Sequence, residues 1–166
     1  MKVMKFGGTS VVSAESILKV IEIVAACREE KVVVVAAMGD TTDQIEELSI
    51  KAATGDESYK EGLAVVEKLH LKAIEQLIAP RDRGSVIAKI KFLFNELTAA
   101  LHGVYILHEL TPRTTDYLLS FGERLSAMIL PTICATCVMP WWMPGSSRWL
   151  ASRLLRVETL WAYSAP

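Results

Sequence analysis

Charge is what this chain runs short of. Between Leu125 and Ser147 there is no Asp, Glu, Lys or Arg, and from residue 130 onward only Arg148, Arg153, Arg156 and Glu158 are charged. Cysteine is scarce too: Cys27, Cys134 and Cys137 are an odd number, which excludes a fully paired disulfide scaffold. The N-terminus lacks the apolar core and cleavage site of a secretory signal, so the cytoplasm is the expected compartment. With 18 basic and 19 acidic residues the net charge is −1, without the positive excess expected of a nucleic-acid or anionic-membrane binder. A small-molecule enzyme fits better. The uncharged stretch is long enough to suggest a membrane span, but Pro131, Pro140 and Pro144 are expected to break it. Cys134-Ala-Thr-Cys137 has zinc or redox spacing without a second Cys or His pair, and His70, His102 and His108 follow no ligand spacing. No metal site is expected, and the histidines are assigned to surface or capping roles.

What is present points to one α/β domain. The chain has 166 residues, 51% of them hydrophobic, enough to bury roughly 70% of the surface of its unfolded form. Lys2–Phe6 reads as a strand ending in the turn residues Gly7 and Gly8. Ser13 is a fair N-cap, and Ile17, Val20, Ile21 and Val24 make one helical stripe. VVVVAA (32–37) is a β-branched run of the kind buried on both faces, which completes a βαβ unit of a parallel sheet. A helix from Thr42 turns Ile45, Leu48 and Ala52 inward. Three longer helices follow: Glu57–Ile78 with Leu63, Val66, Leu69, Ile74 and Leu77 inward; Gly84–Leu101 with Ile87, Ile90, Leu93, Phe94 and Leu97; and one opened by Thr111 as N-cap and Pro112 at the first position. There is no internal repeat and no low-complexity linker.

Three short segments carry candidate chemistry. KFGGTSV (Lys5–Val11) puts a lysine at the carboxyl end of a first strand, then two glycines and two hydroxyls ahead of a helix. Those are the parts of a phosphate site, placed where open α/β sheets bind ligands. By itself the pair of glycines is also an ordinary turn, and the spacing is not that of a Walker A loop. AAMGDTTDQI (Ala36–Ile45) ends the second strand in another Gly-containing turn with Thr41 and Thr42 at a helix start; a capping threonine is the plainer reading. SFGERLS (Ser120–Ser126) places Gly122 inside an apolar helix, at a cost of about 1 kcal/mol relative to alanine, which implies close packing or room for a ligand. Glu123 beside it could equally pair with Arg124 or face solvent.

Together the three segments resemble the aspartate kinases of the amino-acid kinase family, over about residues 1–129 and in the expected order, including the helical insertion between the second and third. The resemblance implies a parallel-sheet, carbamate-kinase-like α/β fold, truncated, and ATP-dependent phosphorylation of the β-carboxylate of L-aspartate, with Mg2+. It implies that Lys5 neutralises the transferred phosphoryl group, that Gly7, Gly8, Thr9 and Ser10 line the phosphates, and that Thr42 and Glu123 hold aspartate, Glu123 at its α-ammonium. Ala36 stands where the family usually has serine. Asp40 adds negative charge beside a site for two anions. The family's later Arg-Gly-Gly-Ser-Asp segment, nucleotide-binding strands, second catalytic lysine and regulatory domains are missing. The expectation is an inactive fragment whose intact form could be a homo-oligomer. Rivals are another amino-acid kinase, acting on glutamate, carbamate or UMP, and a non-catalytic nucleotide-binding protein that docks through its tail.

Residues 130–166 depart from the rest. They hold all four tryptophans (Trp141, Trp142, Trp149, Trp161) and a net charge of +2, against −3 for residues 1–129. One chosen set of legitimate codons for Leu130–Ser146, read starting at the last base of the leucine codon, encodes ANYLRHVCDAVVDARK, which resembles the charged helix and following strand that aspartate kinases carry next. The tail is therefore expected to be out of frame from about residue 130.

Overall fold

The computed structural model describes residues 1–137, with side chains to residue 133. In chain order it has β1 (Lys2–Phe6), a 3-10 turn (Gly8–Ser10), α1 (Ala14–Ala26), β2 (Lys31–Val35), α2 (Thr41–Ala53), α3 (Tyr59–Leu77), α4 (Pro80–Leu107) and α5 (Pro112–Cys137). β1 and β2 are parallel, in register from Lys2 opposite Lys31 to Phe6 opposite Val35, with α1 as the crossover. This is the expected βαβ unit.

Ser13 caps α1 as read from the sequence: its backbone is extended and its Oγ accepts from the Ser16 N–H at 3.2 Å. Ile17, Val20, Ile21 and Val24 are all buried. At the other end Lys31 Nζ donates to the carbonyls of Val24 and Cys27, so the first residue of β2 satisfies the last turn of α1. β2 corrects one expectation. Val33 and Val35 are buried, but Val32 and Val34 are only half-buried, because among the described residues the sheet has two strands and its second face is not fully covered.

The helices make the core. α2 packs on α3, α4 and α5, and α5 reaches back to α1 and β2. Ile45, Leu48 and Ala52 of α2 point inward as expected. Boundaries of two helices move. α3 begins at Tyr59 rather than Glu57, and α4 runs from Pro80, at the favoured first position, to Leu107. Within α4, Ile90, Leu93, Phe94 and Leu97 are buried and Ile87 is half-buried. α5 opens as expected, with the Thr114 N–H donating to Thr111 Oγ1 at 3.2 Å. It then passes Pro131 without ending, contrary to the expectation that this proline breaks a helix; a proline costs one backbone bond and a kink, while Leu130 and Ile133 on either side are buried. Pro140 and Pro144 lie outside the described residues. No described helix is long and apolar enough to cross a membrane.

α3 holds the clearest surprise. Leu69, expected inward, is 41% exposed, and His70, expected at the surface, is fully buried. The stripe set by Leu63, Val66, Ala73, Ile74 and Leu77 passes through position 70, so helical geometry outranks side-chain hydropathy there. His70 Nδ1 donates to the Val66 carbonyl at 2.8 Å, its ring meets Phe94 edge-on, and Nε2 is buried without a partner. The other two histidines do sit outside: His102 is exposed near the Tyr59 hydroxyl, and His108 ends α4 in the left-handed region at φ 52°.

Burial lowers the His70 pKa from its ordinary value of 6.5, and the bond to Val66 opposes that only in part. Between the lowered folded value and 6.5 the unfolded chain binds the extra proton, so His70 costs nothing above pH 6.5 and destabilises as pH falls below it. The slope approaches about 1.4 kcal/mol per pH unit. Urea unfolding at pH 7.5 and 5.5 is expected to show this loss in the native chain and a clearly smaller one in His70→Leu. Equal losses in both would rule the histidine out as its cause.

Candidate functional site

The site begins where the two strands end. Lys5 is exposed on the last stretch of β1, opposite Val34. Beyond it the chain turns through Gly7 into the 3-10 turn, closed by the Ser10 N–H to Gly7 O at 2.9 Å and the Val11 N–H to Gly8 O at 3.1 Å. The Ser10 amide is thus used inside the turn. Its hydroxyl and the Gly7, Gly8 and Thr9 backbone remain as the candidate phosphate cradle. Open space surrounds it: a Cβ placed on Gly7 would meet nothing within 4 Å. The glycines do not lead straight into a helix, since the 3-10 turn and Val11–Ser13 intervene before α1.

The second turn leaves the sheet alongside the first. The Ala36 N–H donates to Phe6 O at 3.0 Å, which continues the ladder one residue past β2. A Cβ on Gly8 would lie 3.9 Å from Ala37 O. Gly39 takes φ +55°, open to glycine at little cost, and faces the Val12 carbonyl. Thr41 is fully buried and its Oγ1 donates to Met38 O at 2.5 Å, so its hydroxyl ties the turn together instead of capping α2. Asp40 occupies the N-cap position without a side-chain cap bond and is exposed. Thr42 is half-buried.

α5 closes the arrangement from below. A Cβ on Gly122 would sit 2.8 Å from the Ala37 Cβ and 3.1 Å from Thr42 Oγ1. The helix can approach the second turn because residue 122 has no side chain. Glu123, next along, is exposed, and Arg124 pairs with Glu96 of α4 at 2.8 Å while lying 4.3 Å over the Phe121 ring. The Glu123–Arg124 pairing is not formed. Three segments separated by up to 115 residues therefore meet: the first turn touches the second, and the second touches Gly122. Lys5 and Glu123 lie beside these contacts without joining them. The sequence reading passed over Ala37 as a contact of the turn and weighed Thr41 only as a helix-start or capping residue, whereas its hydroxyl ties the turn; the adjacent hydroxyls at 41 and 42 were a signal, because neighbouring helical residues cannot face the same way.

A parallel βαβ unit with two glycine-containing turns at its carboxyl end and a helix packed against the second defines an open α/β sheet of the class whose ligands collect at strand ends. A sequence model of the amino acid kinase family matches residues 1–140. The chain belongs to that family. It is 40% identical over 131 residues to "Aspartokinase 1, chloroplastic" of Arabidopsis thaliana, across 76% of this chain and 22% of that protein. It is 38% identical over 128 residues to the chloroplastic bifunctional aspartokinase/homoserine dehydrogenase of Daucus carota, covering 76% of this chain and 14% of the other. Escherichia coli aspartokinase III, in complex with lysine and aspartate, overlays with a TM-score of 0.69 at 26% identity, over 80% of this chain and 28% of that one. The same enzyme with aspartate and ADP overlays at 0.70 and 23% identity, with the same coverage. The chain thus spans about a fifth of the curated aspartokinase it matches and just over a quarter of the solved one.

Proposed function

We propose that residues 1–129 are the N-terminal part of an aspartate kinase site, which transfers the γ-phosphoryl group of ATP to the β-carboxylate of L-aspartate. The observation that carries this reading is the packing of Gly122 against Ala37 and Thr42, which assembles the three motif segments. In this reading Lys5 neutralises charge on the phosphoryl group in flight, and the Gly7–Ser10 turn cradles the phosphates with backbone N–H groups and hydroxyls. Thr42 and Glu123 hold aspartate, the carboxylate pairing with its ammonium. The open space over Gly7 suits the backbone approach that phosphates require. Among the described residues no group of three or more His, Cys, Asp or Glu side chains converges, so Mg2+ would be held chiefly by the ATP phosphates.

The isolated chain is proposed to be inactive, since a two-stranded sheet supplies one side of a crevice. Hydroxylamine trapping of aspartyl phosphate should give no product with the 166-residue protein. A hybrid in which residues 1–129 replace the matching segment of Arabidopsis Aspartokinase 1 should give product with aspartate and none with glutamate, carbamate or UMP. A hybrid that folds, binds ATP and still makes no aspartyl hydroxamate would defeat the assignment.

Two finer points belong to the same reading. Residues from about 130 are out of frame, and α5 crosses that boundary because Leu130 and Ile133 happen to be apolar at inward positions. Sequencing the source DNA across the codons for Leu125–Ser147 should show ANYLRHVCDAVVDARK in the shifted frame; any other reading there removes the idea. The proposed compartment is the cytoplasm, on cysteine usage, while the curated relatives named above are chloroplastic. Where a tagged chain accumulates decides between them.

A further inference from the structure

α4 is apolar on two opposite faces. Val86, Ile90, Leu93, Leu97, Leu101 and Val104 are buried in the core. Across the helix from them Phe92, Ala99 and Ile106 recur every seventh residue, with Ala88, Asn95 and Gly103 alongside, so the six share one outer face. None of the six is charged, and Phe92 and Ile106 are 64% and 61% exposed. The outer face of a surface helix is normally its charged one, and a seven-residue apolar period is the seam of paired helices. Beside the C-terminal end of this seam lies a hollow of about 360 Å³, between Gly103, Val104 and Leu107 of α4 and Thr111 and Thr114 at the start of α5, with Glu109 also lining it. A Cβ on Gly103 would meet nothing within 4 Å.

We propose that this face binds a second copy of the chain, the two α4 helices lying antiparallel and crossing at Ala99. The small side chain there lets the helix axes come close. That crossing fixes the register, because residues equally far from Ala99 on its two sides come opposite one another. Phe92 of each copy then meets Ile106 of the other, next to the hollow, and Asn95 meets Gly103. Lys89 comes opposite Glu109, and neither is in an ion pair of its own among the described residues. A parallel pair would oppose Lys89 to Lys89 and leave the hollow empty, so charge and shape select the same orientation. Each copy offers Phe92 and receives it, which makes the contact isologous and closed at two chains. One helix pair is a small interface, so the dimer is reversible at micromolar concentrations. This inference does not depend on which acceptor is phosphorylated, and its readout is association.

The test is sedimentation equilibrium of the full 166-residue chain over a concentration series, which is expected to show monomer and dimer and no larger species. Lys89→Glu and Glu109→Lys should each weaken dimerisation at least about tenfold, and the double variant, which exchanges the charges, should return it to within about threefold of the parent. Phe92→Ser should weaken it at least about tenfold while leaving the helical circular dichroism of the monomer unchanged. Ala99→Cys, in a chain whose Cys27, Cys134 and Cys137 are replaced by serine, should be joined to its copy by a short bis-maleimide. Ser85→Cys, exposed on the same side of α4 but far from the crossing, should not. A chain that stays monomeric, or a dimer that ignores Phe92→Ser, would overturn the proposal. So would a double charge variant no tighter than the single ones, because any other occupant of this face would feel each charge separately.

Discussion

Lys5→Met in the hybrid enzyme is expected to lower kcat for aspartyl phosphate formation by roughly 10²–10³-fold, with little change in the KM for aspartate. The magnitude is that of removing one preorganised charge or donor from a developing transition state. It applies here because Lys5 projects from the end of β1 beside a turn whose backbone is open, and no salt bridge among the described residues neutralises it. Lys5→Arg keeps the charge but not the compact ammonium and should recover only part of the rate. Glu123→Gln should behave differently. It removes the charge that meets the ammonium of aspartate, and a charge-assisted hydrogen bond of about 1.5–3 kcal/mol corresponds to a rise in KM of roughly 10- to 150-fold. Steady-state kinetics that show Lys5→Met acting on KM alone, or Glu123→Gln on kcat alone, would exchange or abolish the two roles.

That these residues could be named from sequence at all reflects where the information sits. The turns are legible because glycine and hydroxyl residues at strand ends have few alternative uses, and the α1 stripe is legible because Ile17, Val20, Ile21 and Val24 keep helical spacing and are all buried. The misreadings have a common cause. Leu69 and His70 were sorted by chemistry when the helix sorts them by angle, and the double burial expected of VVVVAA assumed a sheet with more strands and layers than the described residues contain. α4 runs past both of its expected ends, Gly84 and Leu101, and neither Gly84 nor Gly103 within it has a neighbour where its side chain would be. Gly122 looks identical to them in the sequence. Only the structure separates a glycine that is merely tolerated from one that is required.

That difference predicts opposite signs for one substitution. Gly103→Ala lies in the next-to-last turn of α4 facing open space, so it should stabilise by up to about 0.5–1 kcal/mol through helix propensity alone. Gly122→Ala gains the same propensity in α5 but drives its Cβ to 2.8 Å from that of Ala37. Ala37 is 5% exposed and its Cβ is fixed to the backbone of the second turn, so no flexible side-chain end can yield. Overpacking of this kind costs about 1–3 kcal/mol, enough to outweigh the propensity. Gly122→Leu should cost more than Gly122→Ala, and in the hybrid it should also remove activity by lifting Thr42 away from the helix that supports it. The clash names its own remedy: Ala37→Gly combined with Gly122→Ala should recover most of the loss, giving a favourable coupling of at least about 1 kcal/mol in a double-mutant cycle. Urea midpoints measured on the four variants and the parent decide it. Additive behaviour, or a stabilising Gly122→Ala, would mean that α5 and the second turn do not meet as described, and the assembly of the three segments would lose its support.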